Sequence, residues 1–66
     1  MEMIPVRSTA ISAVGYDKET QRMSIKFKQG HTYDYCRVPE SIFLGLISAS
    51  SKGRYYDSFI KDNYDC

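Results

Sequence analysis

The stretch GHTYDYCRVPESIFLGLISASSKGRYYDSFIKDNY, Gly30 to Tyr64, contains the change of period that decides the fold. Tyr33 and Tyr35 alternate with polar residues, as on a strand with one buried face. After Val38 the apolar spacing becomes three and four, and Ile42, Phe43, Leu46 and Ile47 form one helical stripe. Pro39 suits the first helical position, where its missing N–H costs nothing, and Glu40 complements the positive end of the helix dipole. Gly45 permits close packing at some cost in helix propensity. The cluster Ser48-Ala49-Ser50-Ser51 ends the helix, and Ser50 or Ser51 can cap a second one. Tyr56, Phe59 and Ile60 are the stripe of that second helix, with Tyr55 beside it and Tyr64 near its end.

Upstream, Met23, Ile25 and Phe27 alternate with Arg22, Ser24, Lys26 and Lys28, which describes a half-buried strand with a basic outer face. Ile11, Val14 and Tyr16 mark an earlier strand whose alternation breaks near Ala13 to Gly15, where a β-bulge is expected. Asp17 to Gln21 is polar and reads as the first hairpin loop, with the Asp17 carboxylate folded back onto backbone amides. Residues 1–9 show neither periodicity and read as a loose lead-in to a single domain over 10–66. The fold class is α+β, a three-stranded antiparallel β-meander followed by two helices packed on one face.

The register of the second hairpin sets how the tyrosines are used. A two-residue loop at Gln29-Gly30 would put Tyr33 opposite Lys26 and expose both rings on the basic face. A three-residue loop, Lys28-Gln29-Gly30, pairs Ile25 with Tyr33 and Met23 with Tyr35, so that the rings join the core face. The second register is favoured, because Gly30 then takes the left-handed position and Gln29 is spared a positive φ.

The ordered set of Ser8, Val14-Gly15-Tyr16-Asp17, Met23, Ile25, Phe27, Gly30, Tyr33, Tyr35, Val38-Pro39, Ala49, Ser51, Gly53, Tyr55-Tyr56, Ile60 and Tyr64 resembles the KTSC domain. That family occurs alone in bacterial and phage proteins and at the C-terminus of some lysyl-tRNA synthetases. The resemblance covers nearly the whole chain. It implies a small binding module for which RNA is the suggested ligand.

Sixty-six residues allow one small core. Nine Lys and Arg against eight Asp and Glu leave a net charge of +1, so no global field draws the chain to nucleic acid or to an anionic membrane. Affinity for phosphate must come from a local patch. No apolar run is long enough to span a membrane, and the N-terminus lacks signal-peptide features, so a cytoplasmic location is expected. Cys36 and Cys66, without metal-type spacing, read as free thiols.

Three groups of residues bear on function. Tyr33, Tyr35, Tyr55, Tyr56 and Tyr64 could stack on bases, or else fill a core that has no tryptophan. Ser50, Ser51, Lys52, Gly53 and Arg54 place two cations at a helix start, where an anion would be at home; the alternative is a serine cap with both cations in solvent. Arg22, Lys26 and Lys28, with Arg37 nearby, could track a phosphate backbone, or simply keep a sheet face soluble. Asp34 shares that face and weakens it.

Catalysis, metal and cofactors find no support. His31 at a hairpin tip has no nucleophile to serve, two cysteines and one histidine do not make a zinc site, and no phosphate loop is present. The expected partners are RNA, or another protein or a second copy meeting an exposed sheet edge and surface tyrosines.

Overall fold

A computed structural model describes residues 1–66, and its sheet has four strands, not three. They are β1 (Met3–Pro5), β2 (Ile11–Asp17), β3 (Arg22–Phe27) and β4 (Thr32–Tyr35), all antiparallel in the order β1-β2-β3-β4. The lead-in is therefore structured. Ile4 pairs with Val14, and the Val6 N–H donates to the Ser12 carbonyl at 3.1 Å. A three-residue strand is too short to show a period, and its Pro5 is tolerated because β1 is an edge.

The bulge in β2 lies at Ser12, between the pairs Ile11–Phe27 and Ala13–Lys26, one step before the expected position. It restores the alternation, so that Ile11 and Val14 are both fully buried. The favoured hairpin register is the observed one. Met23 pairs with Tyr35 and Ile25 with Tyr33, the Phe27 N–H donates to the His31 carbonyl, and Gly30 has φ +106°.

Helix α1 (Glu40–Ser48) buries Phe43 and Leu46 on the sheet. Pro39 is the residue just before it, extended at ψ 144°, rather than its first member. Gly45 is where the second helical segment comes closest: a Cβ there would meet the Tyr55 ring, with Cζ 2.6 Å away. That segment starts as α2 (Lys52–Tyr55) and continues as a π-helical turn over Tyr56–Ile60, closed by the Lys61 N–H on the Tyr56 carbonyl at 2.9 Å. The wider turn alters the expected stripe. Ile60 is fully buried and Tyr56 packs on the core, but Phe59, expected in the stripe, is 51% exposed.

The cysteines are not free thiols. Cys36 and Cys66 form a disulfide across a sequence separation of 30, with Cα atoms 4.8 Å apart. The C-terminal segment reaches β4 as an extra rung: the Cys36 N–H donates to the Tyr64 carbonyl at 2.9 Å, and Tyr35 bridges Asp65. Pairing along β4 is what brings the two sulfurs together. The buried core is Ile11, Val14, Met23, Ile25, Tyr35, Val38, Phe43, Leu46 and Ile60.

Candidate nucleic-acid interface

All five motif tyrosines lie away from the outer sheet face. Tyr35 is buried, and its hydroxyl meets that of Tyr56 at 2.8 Å. Burial, then the Tyr56 hydrogen bond, push the Tyr35 phenol well above its ordinary pKa. Tyr56 also packs edge-on against Phe27, with centroids 5.2 Å apart. Tyr55 is half-buried against Phe59 at 4.7 Å, and Tyr64 is partly buried beside the core. Tyr33 has the predicted pairing but not the predicted burial. It projects past the helical cover, 53% exposed, touching Phe27 edge-on at 5.7 Å.

The outer face carries Ala13, Gly15 and Asp17 of β2, Arg22, Ser24 and Lys26 of β3, and Thr32 and Asp34 of β4. None of these is aromatic, so this face offers no ring on which a base could stack. The basic row does not form a stripe either. Arg22 stands opposite Asp17, the Ser24 hydroxyl bonds Asp34 beside Lys26, and Lys28 belongs to the hairpin loop. Arg37, at φ +55°, follows β4 at the other end of the sheet, where the Val38 N–H reaches the Gln21 carbonyl.

The Ser50 to Arg54 segment has a different surrounding from the one its sequence suggests. Ser51 caps α2 as expected, accepting from the Arg54 N–H at 3.4 Å. The Lys52 ammonium turns back and donates to the Ala49 carbonyl at 2.9 Å, just past the end of α1. A cation at a helix C-terminus is where the dipole favours one, which removes the apparent anomaly of Lys52. A four-residue α2 has little dipole of its own to offer.

What the segment does form is one wall of a depression of about 400 Å³, and the opposite wall is Ser8 and Thr9. No apolar residue lines it. Ser8 Oγ accepts from the Ala10 and Ile11 amides at 3.1 and 3.2 Å, as Ser51 Oγ does from Arg54, so each hydroxyl keeps its proton for donation. Lys52 has two further N–H donors. Arg7 and Arg54 flank the walls in sequence, and Lys28 joins them through its N–H on the Ala10 carbonyl at 2.9 Å. The depression therefore presents hydroxyl donors and the Lys52 ammonium to whatever enters it. The sequence marks Ser8 only as part of the family resemblance and Thr9 not at all, because only folding brings them to Ser51.

The open sheet edges are short. β1 has three residues and ends in Pro5, and the C-terminal rung covers β4 at Tyr35. An edge-to-edge partner therefore has little free backbone to pair with.

Comparison with known proteins adds relatives to this geometry. The family model described as KTSC domain matches residues 7–64. A protein of Tsukamurella paurometabola is 40% identical over 62 residues, covering 94% of this chain and 92% of its own length. The lysine–tRNA ligase of Nostoc punctiforme is 32% identical over 62 residues, and there the chain spans only 11% of the ligase. The crystal structure of a KTSC domain protein from Yersinia pestis superimposes with a TM-score of 0.92 at 38% identity, covering 96% of this chain and 89% of that one.

Proposed function

Because the chain belongs to the KTSC domain family, we propose that it is a non-enzymatic binding module for RNA, which it holds by a backbone phosphate in the depression between Ser8-Thr9 and Ser50-Gly53. The observation that carries this reading is the donor set. Ser8 Oγ accepts from two backbone amides and Ser51 Oγ from one, and both hydroxyls keep their protons, beside a lysine with donors to spare. A ligand rich in acceptors and negative charge satisfies such a site, as the phosphate oxygens of a nucleic-acid backbone do. Arg7, Lys28 and Arg54 give the flanking charge that would follow the strand on either side. Tyr33 and His31, whose rings are 6.1 Å apart near the hairpin tip, are the exposed rings nearest Lys28 in the chain. The same domain forms part of lysine–tRNA ligases, proteins whose name places them with tRNA.

The test is affinity for a single-stranded and a tRNA-like RNA across a salt series. The parent should bind with an affinity that falls steeply with salt. Replacing Lys28 and Arg54 by Gln should flatten the log–log slope by about two, roughly one per lost phosphate contact. Parent binding that is independent of salt, or a slope unchanged in the variant, contradicts the proposal. A cytoplasmic location goes with it, and the disulfide provides the check. Bridges are rare in that compartment, so alkylation in intact cells that traps no free thiol would argue against it.

A further inference from the structure

At the other end of the sheet from the Ser8–Ser51 depression lies a cleft of about 470 Å³ with the opposite chemistry. Its floor is Tyr16 stacked on Phe43, centroids 4.8 Å apart and planes within 9°. One wall is Ile4. The pairing of Ile4 with Val14 puts it on the helix-covered side of the sheet, yet it remains 45% exposed because β1 runs beyond the cover of α1. Four carboxylates, Glu2, Asp17, Glu19 and Glu40, stand around this apolar surface against two ammonium groups, that of Lys18 and the α-ammonium of Met1.

Three elements bring those carboxylates together. Asp17 and Glu19 come from the β2–β3 loop, held by the Glu19 N–H on Asp17 Oδ1 at 3.0 Å. Glu40 opens α1, and Glu2 precedes β1. Glu40 and Asp17 also act on Tyr16: burial raises the phenol's pKa most, and the two acids raise it further. The Tyr16 hydroxyl is already donated to the Val38 carbonyl at 2.6 Å, so the ring contributes a face and not a polar group. Arg22, paired across from Asp17, and Arg37, beyond β4, are further cations at this end of the sheet, and neither lines the cleft.

An apolar wall and an aromatic floor beneath a ring of carboxylates suit one kind of side chain, an aliphatic stem ending in a cation. We infer that this cleft docks a lysine- or arginine-bearing segment of a partner protein, its stem along Ile4 and its charged head among Glu19, Glu40 and Asp17. The occupant follows from charge complementarity: a ring of carboxylates attracts a cationic side chain and repels a phosphate strand. This surface is independent of the RNA reading and stands or falls separately.

The test uses the full chain and three capped peptides alternating alanine with lysine, with Nε-acetyl-lysine or with glutamate, followed by backbone amide shifts. The lysine peptide should shift Ile4, Tyr16 to Glu19 and Glu40, and should weaken as salt is added. Acetylation keeps the stem but removes the charge and should abolish the shifts, and the glutamate peptide should give none. Glu19→Gln with Glu40→Gln should weaken the lysine peptide about tenfold while the melting temperature is retained. Ile4→Ser should weaken it as well, with the carboxylates untouched. Equal binding of the acetylated peptide, lysine-peptide shifts confined to other surfaces, no effect of the double substitution, or RNA shifting these same amides would each overturn the inference.

Discussion

Tyr33 and Tyr35 sit two residues apart on one strand face and do different work. Tyr35 is closed in by Tyr56 and the C-terminal rung, while Tyr33 lies where the helices have already ended. Tyr35→Ala should therefore cost about 3–5 kcal/mol, and Tyr33→Ala about 1 kcal/mol or less, in denaturant unfolding. The Tyr35 phenol, raised by burial and by Tyr56, also makes stability depend on alkali. A phenol that keeps its proton longer in the folded state contributes fully below about pH 10 and progressively less as pH rises toward its folded value. The melting temperature should fall above that point, and less steeply in Tyr35→Phe. Gly45 gives a third contrast, since alanine is the better helix former by about 1 kcal/mol. Its Cβ would nonetheless press on the Tyr55 ring, so Gly45→Ala should lower the melting temperature despite the gain in propensity.

Among the elements, the C-terminal rung has the largest consequence for stability. The Cys36–Cys66 bridge closes a loop with a sequence separation of 30, for which chain entropy predicts about 3–4 kcal/mol. Reducing it, or replacing both cysteines by serine, should lower unfolding stability by that order. A bridged and a reduced chain that melt together would show that the rung holds without it. How far the sequence revealed each element follows from how local its cause is. The β3–β4 register was legible because one glycine had to take a positive φ, and α1 because its stripe is continuous. β1 was not, because three residues show no period and its partner lies beyond a loop. The exposure of Phe59 depends on a π turn that helical spacing does not foresee, and the disulfide on a rung whose two halves are separated in sequence by both helices.

For the whole molecule, a net charge of +1 conceals an uneven arrangement. The Ser8–Ser51 depression and its flanking Arg7, Lys28 and Arg54 lie at one end of the sheet. The Glu2, Asp17, Glu19 and Glu40 cleft lies at the other. Composition averages this separation away. The sequence pointed to Ser50, Ser51, Lys52, Gly53 and Arg54, and those residues do line or flank a depression. It did so through a helix-dipole anomaly that Lys52 resolves internally, and it gave no sign that Ser8 and Thr9 form the facing wall. RNA binding as proposed therefore requires that depression to meet a phosphate backbone. The most direct measurement is an amide-shift titration of the full chain with a single-stranded RNA at low and then high salt. The largest shifts are expected at Ser8 to Ala10 and Ser50 to Arg54, reversed by salt. RNA that leaves those amides unmoved, or moves only residues elsewhere on the surface, would contradict it.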